Sequence, residues 1–310
     1  MDEYGFDAVF HEITRTVIQR LLNDDLHGTF PNFLKVVEEH VQELPEWQIA
    51  FPVQCCQIAG GSIEDGITVA NAWALLFIAS ELFDRVEDEE FIPNSSIPSP
   101  EASINLATSL ILAAFHTIST IQNSTRIGNI IQIFSSAGFN AAIGQQKDLL
   151  EPASSVEEAL NQYWETIILK SGSVFHAAAT GGAAAGTGDQ SIVENLGDYG
   201  TALGVMLQIL DDCRDAMTDS QEAVEWEVSL PLLLYLMVSG EDQITFPKVN
   251  SKAEWSHLLK ESGVIHAISS ILLEWKNRAL LSLEPIQESK EKLLLTIIPS
   301  QFLEKIPSQR

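Results

Sequence analysis

Apolar residues recur along this chain at steps of three and four, the spacing that lines one face of an α-helix. The pattern predicts helices over about 5–23, 31–43, 47–59, 64–90, 101–121, 127–150, 155–187 with a break near Gly172, 189–219, 228–239, 252–261, 264–283 and 287–305. Breakers fall between them: Gly60-Gly61, the stretch Pro93 to Pro100, Pro152, Gly181-Gly182 and Gly186 to Gly188. No segment alternates apolar and polar residues as a half-buried strand would. No Gly/Ser linker divides the chain. The expected architecture is all-α, one domain over residues 1–310, with Pro93 to Pro100 as an ordered loop or lid.

A chain of 310 residues that is 45% hydrophobic has ample material for a core. Its longest apolar runs, Ala72 to Ser80 and Leu106 to Phe115, fall short of the ~18 residues that cross a bilayer. The start, Met1-Asp2-Glu3-Tyr4, lacks the layout of a signal peptide. Cys55, Cys56 and Cys213 show no zinc spacing. A cytoplasmic protein without stable membrane insertion is the plain expectation. The formal net charge is −26, with only 17 Lys plus Arg, which speaks against a nucleic-acid binder. Any polyanionic ligand must then arrive with metal ions or meet a small, well-placed basic group.

One short segment occurs twice. Glu81-Leu82-Phe83-Asp84-Arg85-Val86-Glu87-Asp88 echoes Gln208-Ile209-Leu210-Asp211-Asp212-Cys213-Arg214-Asp215. Each has a polar residue, two apolar residues, an Asp and a second Asp four places on, and each follows a strongly apolar stretch. Residues four apart share a helix face, about 6 Å apart at Cβ. Asp84 and Asp88 therefore stack with Glu81 behind them, and Asp211 and Asp215 with Gln208 behind. Like charges so placed weaken a helix by a few tenths of a kcal/mol. Carboxylates at helix ends are often only solvated surface, and this chain has 43 acidic residues. The alternative is neutralisation by Mg²⁺, a hard cation held by one or two carboxylates plus substrate phosphates. Two stripes facing each other across a helical bundle would hold several such ions with a diphosphate bridging them.

In these residues the chain resembles the trans-isoprenyl diphosphate synthases. Asp84 to Asp88 is similar to their first aspartate-rich motif, with Arg85 in place of its second Asp. Gly144-Gln145-Gln146-Lys147-Asp148-Leu149 resembles GQxxDL, and Lys170-Ser171-Gly172 with the small-residue run Ala177 to Gly186 resembles the K[TS]G segment. Tyr199-Gly200 through Asp215 resembles the second motif with its helix, and Leu230-Pro231-Leu232-Leu233 the LPLL that follows. The resemblance implies a class I isoprenoid synthase bundle around a deep apolar cavity, usually homodimeric. It implies Mg²⁺ on Asp84, Asp88 and Asp211, with Asp215 and Asp212 in support. Gln208, Gln145, Asp148 and Lys170 would line the mouth for the prenyl diphosphate.

The departures from the family pattern carry as much information. A basic segment that grips isopentenyl diphosphate is replaced by Leu44-Pro45-Glu46-Trp47-Gln48-Ile49-Ala50-Phe51-Pro52, which has no Lys or Arg. The Arg pair after the first motif gives way to Glu89-Glu90-Phe91-Ile92-Pro93, and the Lys after the second motif to Glu225-Trp226-Glu227. One carboxylate–phosphate repulsion at ~4 Å and an effective dielectric near ~20 is worth about 4 kcal/mol. The expected function is Mg²⁺-dependent ionisation of an allylic prenyl diphosphate of about C15 to C20. The cation is then cyclised or deprotonated as in a terpene synthase, or transferred to an acceptor other than isopentenyl diphosphate. Tryptophan-prenylating enzymes of bacterial quorum-sensing peptides are loosely similar in the stretch Trp255 to Leu283. A conventional chain-elongating synthase and a non-catalytic partner subunit are the alternatives.

The small Ala79 and Ser80 before the first motif suit a deep pocket. Phe77 and Trp73 would floor it or shelter a cation, or simply fill core. Gly204 lies below Asp211, with Leu207 and Gly200. Lys170 and Arg85 would add positive charge at the diphosphate. His176 is a general base or a packing residue, and Tyr163 and Trp164 reach the cavity or the core. Cys213 is expected as a buried spacer and Arg214 as the partner of a neighbouring acid.

Overall fold

Ser62, Ser99, Ser155 and Ser251 each precede a helix, and each side chain accepts a hydrogen bond from the backbone N–H three residues on, at Asp65, Ala102, Glu158 and Glu254. Such caps satisfy donors that the helix itself leaves open. Acids in the same first turns, among them Glu64, Asp65, Glu157 and Glu158, complement the positive end of the helix dipole.

The computed structural model describes residues 3–22, 33–89, 91–94, 96–150, 153–218, 220–224 and 226–305. Its elements run α1 (Glu3–Leu22), α2 (Phe33–Glu43), α3 (Glu46–Ile58), α4 (Ile63–Glu87), α5 (Pro100–Ser119), α6 (Ser124–Leu150), α7 (Val156–Ile167), a π-helical turn (Ile168–Gly172), α8 (Ser173–Gly186), α9 (Gln190–Ala216), α10 (Leu230–Val238), α11 (Lys252–Glu261), α12 (Val264–Leu283) and α13 (Lys290–Glu304). No strand occurs among the described residues, so the all-α expectation holds. The break expected near Gly172 is the π turn, where the backbone widens for one turn without ending the helix. The helix ends expected at 23, 31–32, 90 and 219 lie outside the described residues, as do Met1, Asp2, Ser95, Pro152 and Glu225. Within the expected loop, the Asn94 side chain accepts hydrogen bonds from Ser96 N–H and Ile97 N–H at 2.8 and 2.7 Å.

The chain packs as two compact units. The first comprises Met1–Ser135, Ala177–Leu196 and Ser289–Lys292. Here α3 is buried on all sides from Trp47 to Cys56, and α4 packs against α3 and α5. Pro52 sits inside α3, and its carbonyl is met closely by α8: a Cβ added at Gly182 would lie 2.2 Å from Pro52 O. Only a residue without Cβ allows that approach, which gives the small-residue run its packing purpose. The Arg126 guanidinium donates to the carbonyl of Ala185 at the end of α8.

Two helices exceed the reach read from the sequence. By length and composition α4 and α5 are each long and apolar enough to cross a bilayer, although their uninterrupted apolar runs are short. Most of the α4 window is buried inside the protein, and less than half of the α5 window.

The second unit comprises Ser136–His176, Gly197–Glu288 and Leu293–Arg310. In it α10 packs on α7 and α12, and α11 on α12. Tyr199 is fully buried and donates to the carbonyl of Leu295 at 2.7 Å. Trp226 stacks on Phe246 at 5.5 Å and meets the edge of Trp255 at 5.2 Å, so the segment after α9 is held down by aromatic contacts. Backbone bonds from Lys252 N–H to Glu222 O and from Ala253 N–H to Ser220 O, both 2.9 Å, fix it further.

Candidate active site

In the first unit, the end of α4 presents Trp73, Phe77, Ser80, Glu81, Asp84 and Asp88 at helical steps of three and four. Exposure rises along that face. Trp73 and Ala79 are buried, Phe77, Ser80, Glu81 and Asp84 half-buried, and Arg85 and Asp88 exposed. The rings of Trp73 and Phe77 lie 5.1 Å apart, an aromatic pair one turn deep. The Ser80 hydroxyl donates to Phe77 O at 2.8 Å. Asp88 caps the helix, its N–H bonding to Asp84 O at 2.8 Å, and Glu89 leaves it with φ 60°, in the left-handed region. Ser103 of α5 donates to Leu82 O at 3.2 Å and steadies this last turn.

In the second unit, α9 carries the other stripe. Asp211 and Asp215 are both exposed, and Arg214 donates to Asp211 Oδ1 at 2.7 Å, the pairing expected from its neighbours. Partial burial is the largest influence on Asp211 and raises its carboxyl above the ordinary value. Arg214 pulls it down and Asp215 pushes it up again.

Asp212 faces another way. Its Oδ2 accepts from Tyr163 Oη at 2.7 Å and from Leu230 N–H at 3.4 Å, and its Oδ1 accepts from Gln208 Nε2 at 3.0 Å. Gln208 Oε1 in turn accepts from Ser171 Oγ at 2.6 Å. Burial raises the Asp212 carboxyl, while the donors from Gln208, Tyr163 and Leu230 lower it. Burial and the Asp212 charge push the Tyr163 hydroxyl well above its ordinary value, so it is a donor at all working pH. Asp212 thus ties together α7, α9 and the start of α10. Sequence reasoning left Tyr163 between core and cavity and gave Ser171 no role. The one available signal was their sharing of a helical segment with Lys170.

The π turn carries Lys170 and Ser171 and is squeezed from two sides. A Cβ at Gly204 would come 2.4 Å from Ser171 O, and one at Gly144 would come 3.0 Å from Lys170 N. Gly204 thus lets α9 approach this turn closely. Gln145 is buried, Asp148 exposed and Lys170 half-buried. Lys147, between Gln145 and Asp148, pairs with Glu165 at 3.3 Å.

His176 Nδ1 lies 3.1 Å from Thr201 Oγ1, whose own hydroxyl is committed to Gly197 O at 3.0 Å. The imidazole is then the donor in that contact. Burial lowers its pKa, which keeps it neutral. Cys213 is buried, as expected, and its thiol is pushed up to about 12 by burial and Asp212.

Among the described residues no three side chains of His, Cys, Asp or Glu form a ready metal cage. Each stripe offers two carboxylates on one helix face, which fits Mg²⁺, an ion that keeps several waters and completes its shell with phosphate oxygens.

Residues 53–225, more than half of the chain, match the family model described as polyprenyl synthetase. A geranylfarnesyl diphosphate synthase of Methanosarcina mazei is 26% identical over 191 residues, which span 61% of this chain and 64% of that protein, slightly under two thirds of its length. The tryptophan prenyltransferase ComQ of Bacillus subtilis is 24% identical over 291 residues, covering 89% of this chain and 92% of that one. The solved geranylgeranyl pyrophosphate synthetase of the archaeon Geoglobus acetivorans superposes with a TM-score of 0.81 at 18% identity, over 96% of this chain and 98% of that one. That likeness gives the fold, an isoprenyl diphosphate synthase bundle. With two aspartate stripes, the GQxxDL and KSG segments and the family match in register, the chain belongs to the polyprenyl synthetase family.

Proposed function

We propose that this protein ionises an allylic prenyl diphosphate of about C15 to C20 with Mg²⁺ and passes the cation to an acceptor other than isopentenyl diphosphate. Asp84 and Asp88 would hold Mg²⁺ in the first unit, and Asp211 and Asp215 would hold it in the second. Bound Mg²⁺ would supply Lewis-acid neutralisation of the leaving diphosphate. Lys170, with Gln145 and Gln208 beside it, would orient the phosphates. The buried face of Trp73 and Phe77 would keep water from the allylic tail and shelter positive charge.

The observation that carries the acceptor half is the state of α3. Where the family pattern calls for cations, Ile49 and Phe51 are 0% exposed and packed as core. A guanidinium there would be buried without a partner, at a cost of several kcal/mol, so the loss is built into the packing. The likeness to a tryptophan prenyltransferase over most of the chain supports transfer to a neutral acceptor. Cyclisation or proton loss is the second reading, favoured by the aromatic pair beneath Asp84. The names of the other relatives favour chain elongation.

Incubation with geranyl, farnesyl or geranylgeranyl diphosphate and Mg²⁺ separates these. A prenylated product that appears only with an indole, peptide or alcohol acceptor supports transfer. A hydrocarbon or terpene alcohol without acceptor supports cyclisation. A longer linear diphosphate, formed only with isopentenyl diphosphate, overturns the proposal. Inertness in all arms indicates a partner subunit. We place the protein in the cytoplasm as a homodimer of one-domain chains, the exposed apolar residues of α5 supporting the pairing.

A further inference from the structure

The second carboxylate stripe rests on a hydrogen-bonded chain of side chains behind it. It begins at Ser171 in the π turn, passes through Gln208 to Asp212 and ends on Tyr163 of α7 and the N–H of Leu230, where α10 starts. Each link is directional. The Ser171 and Tyr163 hydroxyls donate, Gln208 accepts at one end and donates at the other, and Asp212 accepts throughout. The Gln208 amide is therefore oriented by both neighbours, and its Oε1 is already engaged by Ser171 Oγ at 2.6 Å.

We propose that Asp212 and Tyr163 are positioning residues for magnesium, acting through α9 and not as ligands. Asp212 lies between Asp211 and Asp215 in sequence, so its anchor fixes the rotation of the turn that presents them. A carboxylate has room for all three donors, whereas an amide at this position would turn an N–H toward at least one of them. Tyr163 Oη is the shortest of the three contacts to Asp212, at 2.7 Å. Its loss removes the link to α7 while leaving Asp211, Asp215 and Arg214 chemically intact. The π turn belongs to the same device. Gly204 admits it against α9, and Ser171 ties it to Gln208, so the turn bearing Lys170 and the helix bearing the stripe move together.

This inference rests on the magnesium–diphosphate reading, and the test keeps the two apart. The readout is thermal stabilisation of the full chain by Mg²⁺ in the presence of inorganic pyrophosphate, titrated in Mg²⁺. Wild type is expected to show a saturable rise, and the pair Asp211→Asn with Asp215→Asn to lose it. Tyr163→Phe and Asp212→Asn are expected to raise the Mg²⁺ concentration at half-effect by about tenfold, the usual consequence of removing a group that orients metal ligands. Cys213→Ala, also buried on α9, should leave that concentration unchanged. If Tyr163→Phe lowers the melting temperature without moving the half-effect, its role is packing and the proposal is overturned. If Asp212→Asn does not fold, Tyr163→Phe alone decides. If wild type itself shows no Mg²⁺ and pyrophosphate response, the functional reading fails and the inference goes with it.

Discussion

The two kinds of charge contact on α9 show why position outweighs type. Arg214 and Asp211 form a short ion pair, yet their side chains are 71% and 52% exposed. Exposed pairs contribute about 0–1 kcal/mol. Arg214→Ala should therefore change stability by less than about 1 kcal/mol in urea unfolding. It should also lower the Mg²⁺ concentration needed for half-effect, because Arg214 competes with the cation for Asp211. A weaker Mg²⁺ response in this variant would mean that Arg214 helps to bind phosphate. The buried thiols make the opposite case. Burial raises Cys55 well above its ordinary value and takes Cys56 and Cys213 to about 12. The thiolate is the reactive form, so iodoacetamide at pH 8 should label none of the three in the folded protein and all of them in guanidinium. His176 adds a pH dependence with a definite sign. Burial lowers its folded pKa, so between that value and the ordinary ~6.5 the unfolded chain binds more protons. Stability should fall as pH drops through this window, and the imidazole signals in NMR should titrate below the ordinary midpoint. A midpoint above ~6.5 would reverse the sign.

At the scale of the element, glycine separates close approach from mere flexibility. Gly204→Ala would drive a Cβ to 2.4 Å from Ser171 O, a backbone atom that cannot swing aside. Strain of that kind costs typically about 1–3 kcal/mol, and the displaced π turn carries Lys170. Gly128 lies in the interior of α6 with nothing within 4 Å of its would-be Cβ. Gly128→Ala should stabilise by about 0.5–1 kcal/mol through helix propensity. Urea midpoints of the two variants should move in opposite directions. Most helices were legible in the sequence because their apolar steps of three and four persist for several turns and their starts carry a serine followed by acids. Gly172 marked the break in the seventh helical segment, but five residues are too few for a periodicity to reveal a π turn. The Arg214 pairing was legible because its partner stands three residues away. The anchoring of Asp212 was not, since Tyr163 is 49 residues distant and only the fold joins them. The carboxylate echo paired Asp211 with Asp215, and it carried no sign of the Tyr163 contact that Asp212 makes.

The whole molecule has a surface dominated by one sign of charge, and α5 interrupts it with apolar residues. Leu112 is 66% exposed and Ile104 44%, and their separation of eight positions, about two helical turns, places both on one side of the helix. Self-repulsion at a net charge of −26 opposes association, so a homodimer needs an apolar seam strong enough to overcome it. Burying a leucine side chain contributes about 1.5–3 kcal/mol, and in a symmetric pair each such residue is buried twice. A glutamate on the seam reverses this contribution and adds another charge to both copies. If the proposed homodimer pairs through α5, Leu112→Glu should give the chain mass in light scattering at micromolar concentration where the unaltered protein gives twice that mass. Leu281→Glu on α12, exposed to a similar degree at 58%, supplies the same charge elsewhere and should leave the mass at twice the chain. High salt screens the repulsion over about 8–10 Å but does not restore the lost apolar contact, so Leu112→Glu should remain monomeric in salt. A Leu112→Glu protein that keeps the dimer mass would remove α5 as the seam.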